Sequence, residues 1–485
     1  MTFLTAKEVI TIDIESAIDL VLKNNEKIVE SLLSLPREKL ELQLATRSWV
    51  PKISIENKTG YEKDEDFDLI LTNKVVLTNE VIVDTKIKLE SELPFIGTRM
   101  SVLGKVEYRK DWRTSPGLRE DNLEGGYRVE VNQPIGRNLF SSAHRLDFNQ
   151  AKKKFEIDKY DRLIIKKEIM AEIFRRWSSM LVVKERFSFG REEVNRQSLL
   201  RDLNRLLLET GRVTTIEYEQ SEIDLRNAEH SLQITLSEME NLKRDFFYFM
   251  GFSFDDVAKY ELDLEKNFFL LEDHIFKNND FDYLVEYALK NNVELKKAKS
   301  QREKSYYDMV SLKNRMMPNV ELYFFYDQTF YYNQSYRDND IGGGMKFKYF
   351  FYDDEEKKRL EIGEEEFRIS KFREDNLLER VKKDFFVYFN KSKQLAVEKE
   401  ILEKRLIIFR KRWERSRQLF RLGRLTLIEL EQMRNQIKEF EVEYLNRFKE
   451  RLDVFLELFL LTQYFPFYSD QTSRGSGSSL FNGNN

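Results

Sequence analysis

The residues of this 485-residue chain with the most distinctive types and spacing are two copies of one short pattern, Gly-Arg-x-Thr-x-Ile-Glu. Residues 205–220 read RLLLETGRVTTIEYEQ and residues 417–432 read RQLFRLGRLTLIELEQ, identical at nine of sixteen positions. The chemistry of such a pattern is chain reversal and surface contact. Gly211 and Gly423 can take positive φ and turn the chain between antiparallel helices. Thr214 and Thr426 fall where a hydroxyl satisfies the free N–H groups of the returning helix. These residues either only make a turn or also offer a contact surface, and the two uses are compatible.

Bond-breaking chemistry finds no supporting constellation. His144, His230 and His274 stand far apart and in no metal spacing. Cysteine is absent, which excludes disulfides, thiolate metal sites, cysteine nucleophiles and a lipid-bearing N-terminal cysteine in this chain. Gly342-Gly343-Gly344 follows an Asn/Asp-rich loop and leads into an alternating strand, whereas a phosphate cradle opens a helix. It reads as a hairpin turn. No catalytic activity, metal or cofactor is expected. With 81 Lys+Arg against 85 Asp+Glu, the net charge of −4 offers no basic excess for nucleic acid.

The elements that position the paired bends follow from the prolines. Residues 135–317 and 319–465 contain none. Both tracts are rich in Glu, Lys, Leu and Arg, and a proline costs about 3 kcal/mol inside a helix, so they read as helices. From Pro134 to Gly211 there is room for a helix of about 65–70 residues, roughly 100 Å at 1.5 Å per residue; the stretch from Tyr352 to Gly423 allows a similar one. In the last helix Met433, Ile437, Phe440, Tyr444, Phe448, Leu452, Phe455 and Phe459 follow steps of three and four, a coiled-coil-like packing seam. No uncharged apolar run approaches the roughly 18 residues of a spanning helix. A membrane crossing by this chain would have to be a β-barrel.

Residues 51–134 and 318–352 have strand and turn texture. Met100, Val102, Val106 and Tyr108 alternate with Arg99, Ser101, Lys105, Glu107 and Arg109; Tyr127, Val129 and Val131 alternate with Arg128, Glu130 and Asn132. Val320, Leu322, Phe324 and Tyr326 share one face, as do Met345, Phe347, Tyr349 and Phe351. Such segments fit bilayer-spanning strands, and they equally fit a soluble sheet with one wet face. Candidate strands are 52–61, 81–93, 98–110 and 126–134, then 320–332 and 344–352.

The whole arrangement is duplicated. Leu22-Lys23-Asn24-Asn25 recurs 267 residues later as Leu289-Lys290-Asn291-Asn292, and Pro51 recurs at the same offset as Pro318. The paired bends lie 212 apart, so the first copy carries the longer strand region. Repeat 1 is residues 1–251, with a helix at 14–50, strands at 52–134 and a helical hairpin at 136–250 whose tip is residue 211. A connecting segment covers 252–280. Repeat 2 is 281–465, with a helix at 281–317, strands at 319–352 and a hairpin at 353–464 whose tip is residue 423. Residues 466–485, rich in Ser, Gly and Asn, read as a flexible tail.

With these features in this duplicated order, and with Val-Asn-Gln-Pro-Ile at 131–135 entering a long helix, the chain resembles the TolC-like outer membrane factors over residues 14–465. The resemblance implies a mixed, mainly α fold: long coiled-coil-like helices forming a trimeric α-barrel, plus a β-barrel segment built from strands of the two tandem repeats. It implies a homotrimer in outer membrane lipid with two strands per repeat, hence a 12-stranded barrel; the extra candidate hairpin of repeat 1 would make six strands per chain and 18 in all if it joined the barrel, or would fold outside the membrane, and 12 is the default. It implies a passive exit duct through periplasm and outer membrane, in a tripartite efflux or type I secretion system. The partners would be a periplasmic membrane-fusion adaptor and an inner-membrane transporter of RND or ABC type. Gly211, Arg212, Thr214, Gly423, Arg424 and Thr426 would form the periplasmic tips where the adaptor docks. The resemblance puts carboxylates of a pore constriction at positions held here by Glu429 and Gln432. It puts a locking Tyr and Arg at positions held by Phe420 and Leu425, which cannot make those hydrogen bonds, so the gate is altered. For Glu429 the plainer reading is a solvated helix face. A soluble coiled-coil scaffold with a small β domain is the alternative for the whole chain. Residues 1–13 lack the basic and apolar regions of a signal peptide, which on this reading has been removed.

Overall fold

A computed structural model describes residues 10–47, 50–68, 74–93, 96–113, 121–139, 142–252, 260–262, 264, 281–332, 336–349, 354–422 and 424–462. The fold is mixed and mainly helical. Two compact units divide it, one of residues 1–34, 160–296 and 375–485, the other of 35–159 and 297–374. Each unit draws on both sequence repeats.

The duplication is plainest in the long helices. α4 (Ser142–Glu209) and α8 (Asp354–Arg421) are each 68 residues long and start 212 residues apart. Their returning partners are α5 (Thr215–Phe249) and α9 (Leu427–Thr462). The expected single helices at 14–50 and 281–317 are instead broken. The first is α1 (Ile14–Asn24), α2 (Glu26–Leu33) and α3 (Leu35–Thr46); the second is α6 (Phe281–Asn291) and α7 (Val293–Arg315). The repeated asparagine makes the break in both copies. Asn25 Oδ1 accepts from the Lys27 N–H at 3.1 Å and Asn292 Oδ1 from the Leu295 N–H at 3.0 Å, so each side chain caps the next helix. Pro36 sits in the first turn of α3, where its missing N–H costs nothing.

In the first unit α9 is a spine shared by three clusters. Phe448, Leu452, Phe455 and Phe459 join Ile173 and Trp177 of α4, Phe246 and Phe247 of α5, and Ala17 and Val21 of α1. Rings meet edge to face at 5.6 Å between Trp177 and Phe246 and at 4.4 Å between Phe455 and Phe459. Val454 and Leu458 join Phe385 and Phe389 of α8 and Leu284 of α6. Leu430 and Ile437 join Leu200 and Leu203 of α4 and Trp413 and Phe420 of α8. A short parallel pair, β1 (Ile10–Ile12) with β6 (Tyr260–Leu262), completes this unit; the rest of the 252–280 connection lies mostly outside the described residues.

The second unit holds one antiparallel sheet of six strands in the order β2 (Lys52–Asp68), β3 (Lys74–Glu92), β4 (Arg99–Arg113), β5 (Asp121–Pro134), β7 (Asn319–Tyr331), β8 (Tyr336–Lys348). Among the described residues the first copy supplies four strands and the second two, as the six candidate segments have it, which corrects the default of two per repeat. It also corrects the reading of Gly342-Gly343-Gly344 as a turn, since all three lie inside β8. A Cβ on Gly342 would come within 2.5 Å of the Phe325 ring, one on Gly343 within 2.8 Å of the Phe324 ring, and one on Gly344 within 2.9 Å of Tyr323. The glycines leave room for the aromatic rings of the neighbouring strand to lie across them.

Ladder register sorts the side chains of all six strands onto two faces. One carries Ile53 and Ile55, Ile87 and Leu89, Val102 and Val106, Tyr127 and Val129, Phe324 and Tyr326, Ile341 and Met345. The other carries Lys52 and Glu56, Lys86 and Lys88, Lys105 and Arg109, Arg128 and Glu130, Glu321 and Asp327, Lys346. Ile53 is 69% exposed, Phe324 59% and Ile341 83%, so the apolar face is uncovered in the single chain.

Candidate functional site

The two bends close with the same bonds. At the end of α4, Gly211 has φ 68° and the Arg212 N–H donates to the Leu207 carbonyl at 2.9 Å. At the end of α8, the Arg424 N–H donates to the Leu419 carbonyl at the same 2.9 Å. These are the six-to-one bonds of a Schellman ending. Gly423 itself lies outside the described residues. Both returning helices then start with a reciprocal capping box. The Thr214 N–H donates to Glu217 Oε2 at 2.8 Å while the Glu217 N–H donates to Thr214 Oγ1 at 3.3 Å. Thr426 and Glu429 repeat both bonds at 2.8 and 3.3 Å. The backbone N–H of each threonine, then its hydroxyl, holds the glutamate carboxyl below its ordinary pKa.

The bends lie at one end of the helical unit. Leu207, beside the first, and Leu425 and Leu427, beside the second, pack against the same cluster. Gly211, Arg212, Thr214, Arg424, Thr426, Glu429 and Gln432 are exposed there. Phe420 is buried and Leu425 half-buried in that cluster, so the two positions that the resemblance assigns to a hydrogen-bonded lock are filled by packing. Glu429 has a third role beside the two weighed from sequence, as a helix cap. The Thr-x-x-Glu spacing carries that signal in both copies.

Sequence reasoning missed a buried ion pair that joins the two hairpins. Arg196 of α4 donates to both oxygens of Glu441 of α9, at 3.1 and 2.9 Å. Arg196 also reaches Glu193 at 2.9 Å, and Arg410 of α8 bridges to Glu192 at 2.9 Å. Burial pushes the Glu441 carboxyl up, against the pull of the Arg196 guanidinium. The one sequence signal was a glutamate set between Ile437 and Tyr444 on the apolar seam. Beside the pair, α4, α5 and α9 line a groove of about 410 Å³ edged by Arg186, Glu193, Asp224, Arg434, Lys438 and Glu441.

The charged face of the sheet is laced across strands. Arg109 pairs with Glu80 at 2.7 Å, Arg128 with Asp327 at 3.6 Å, Arg99 with Glu321 at 3.8 Å and Lys346 with Glu130 at 3.8 Å. A wet, ion-paired face and an uncovered apolar face back to back are what a strand layer between water and hydrocarbon needs. No described helix is long and apolar enough to cross a membrane. No cluster of His, Asp or Glu suited to a metal ion occurs among the described residues.

No family model matches the sequence, and no curated protein is similar to it by sequence. Solved structures are similar in fold. The outer membrane protein VceC of Vibrio cholerae matches with TM-score 0.66 over 93% of this chain and 95% of its own, at 10% identity. The outer membrane channel CmeC of Campylobacter jejuni matches with TM-score 0.62 over 93% and 85%, at 11% identity. The open state of the MtrE outer membrane channel of Neisseria gonorrhoeae matches with TM-score 0.57 over 95% and 93%, at 9% identity. The chain thus has the TolC-like fold that these outer membrane channels share.

Proposed function

We propose that the chain is one protomer of a trimeric outer membrane channel, a passive exit duct of a tripartite efflux or type I secretion system. The observation that carries the reading is the six-stranded sheet, whose uncovered face is apolar across every strand and whose opposite face is charged and ion-paired. A large exposed apolar sheet face is unstable in water and at home against acyl chains. The fold shared with outer membrane channels supports the same reading. In it the exposed ends of the hairpins, with Gly211, Arg212, Thr214, Arg424 and Thr426, and with Gly423 from the sequence pattern, meet a periplasmic membrane-fusion adaptor, and an inner-membrane RND or ABC transporter supplies the energy. Glu429 and Gln432 approach the threefold axis near those ends, where three Glu429 carboxylates would favour cations.

The test is direct. The protein should fractionate with the outer membrane, migrate as a heat-modifiable trimer in detergent and carry single-channel current in planar bilayers. A water-soluble, non-conducting monomer would return the chain to the scaffold reading.

A further inference from the structure

The sheet has two outer strands, β2 and β8, each with a strand neighbour on one side only among the described residues. Because the sheet has an even number of strands, six, each antiparallel to its neighbour, β8 of one copy and β2 of the next run antiparallel, as every internal pair does. The faces also continue. Odd-numbered residues of β2 (Ile53, Ile55, Asn57) and of β8 (Ile341, Met345, Phe347) lie on the apolar face, and even-numbered ones (Ser54, Glu56; Lys346) on the charged face. A junction that preserves both faces therefore sets odd opposite odd, which leaves registers two residues apart.

Strand stagger narrows them. A straight walk from Lys52 crosses Glu90, Ser101, Glu130 and Phe325 and arrives at Gly342, six residues short of the end of β8 at Lys348. Setting Lys52 opposite Lys348 shifts the closed sheet by six residues per chain, and the next register shifts it by eight. At about 3.4 Å per residue and about 4.8 Å between strands, these tilt the strands by about 35° and about 43°. Shifts of four or ten residues would give about 25° or about 50°, outside the roughly 35–45° of barrels. Charge separates the remaining two. The six-residue register puts Lys52 opposite Lys348, a like-charge pair. The eight-residue register puts Glu56 opposite Lys346 and Ile55 opposite Phe347, and cross-strand pairs of those kinds stabilise a sheet. Either register sets Glu62 opposite an aspartate, Asp338 or Asp340, so that contact does not discriminate.

We propose that β8 of each protomer adds to β2 of the next with Glu56 opposite Lys346, so that three six-stranded sheets close one barrel of eighteen strands. This rests on the trimeric channel reading and departs from the twelve strands that the resemblance implies. Eighteen strands tilted by about 43° at about 4.8 Å spacing enclose a ring about 38 Å across between backbones, the size class of barrels with open aqueous lumens.

The absence of native cysteine makes the test clean. Asn57→Cys with Met345→Cys, and separately Ile55→Cys with Phe347→Cys, should oxidise in native membranes to a covalent trimer on non-reducing gels. The offset pair Ile55→Cys with Met345→Cys should link at least tenfold less. Preferential linking of the offset pair overturns the register. Unlinked trimers for all three pairs, with native mass spectrometry of the unsubstituted protein still finding three chains, overturn the edge pairing and leave the channel reading standing. A single-chain mass for the unsubstituted protein in mild detergent overturns both.

Discussion

Removing the Glu441 carboxylate should loosen the helical unit locally and by a large factor. Glu441 is 4% exposed and Arg196 5%, so Glu441→Ala leaves a guanidinium out of water. Breaking a buried pair by deleting one partner costs about 3–5 kcal/mol. Glu193 still holds Arg196 from its own helix at 2.9 Å, which places the expected cost near the lower end, about 3 kcal/mol. At 1.4 kcal/mol per factor of ten, that is roughly 150-fold in a local opening equilibrium. Hydrogen exchange by mass spectrometry on peptides covering 190–200 and 437–445 should read it as exchange about 100-fold faster, with peptides of the β-sheet unchanged. Replacing both partners, Arg196→Met with Glu441→Leu, removes the stranded charge and should restore protection to within a few-fold, because apolar side chains of similar volume substitute well for buried pairs. If Glu441→Ala changes exchange by less than about threefold, or if the double variant exchanges as fast as the single one, the pair does not hold the hairpins together.

Four further outcomes follow from the same geometry. Glu217 and Glu429 have carboxyls held below their ordinary pKa, so their contribution is full above the usual carboxylate value of about 4.3 and is lost as pH falls through the lowered value; exchange protection at 214–218 and 426–430 should drop in that acid window while the core at Trp177 keeps its own. Phe420→Ala should cost about 3–5 kcal/mol, read by chemical denaturation, because the ring is buried between the hairpins. Gly342→Val should lower the heat stability of the assembled protein by about 1–3 kcal/mol, since the Phe325 ring would be forced off Arg128, 4.6 Å away, and off the stacked ring of Tyr323. Glu429→Gln, which keeps an acceptor for the Thr426 N–H, should reduce cation selectivity in planar bilayers; unchanged selectivity returns Glu429 to a capping role alone.

What could be read in the residues divides along range of interaction. The long helices are legible because proline avoidance and the three-four seam of α9 are local, and the bends because Gly, Thr and Glu act within six residues of one another. The Asn25 and Asn292 breaks were visible as a repeated motif, but their effect depends on a side chain choosing its own backbone over helix continuation. β2 runs to Asp68 through Glu62, Lys63 and Asp64, residues whose composition alone suggests a loop; pairing with β3 along its full length overrides that. The Gly342–Gly344 run reads as a turn because a glycine's tolerance for turns is local, while the Phe324 and Phe325 rings that occupy its space come from the neighbouring strand. Arg196 and Glu441 are 245 positions apart, and no short window contains both.

The equal lengths of α4 and α8 carry a consequence for how this protein can change. The two copies differ by one hairpin in the sheet region, yet their rods are both 68 residues long. Deleting one residue within a rod shortens it by about 1.5 Å and swings every later side chain by about 100°. Trp413 and Phe420 would then leave the cluster they share with Leu200 and Leu203. Growth at the sheet is cheap because a hairpin adds its own neighbours. Growth along a rod is tolerated only in whole turns and only when its twin lengthens in step, so the pair behaves as a fixed ruler from which variation is shunted to the strands.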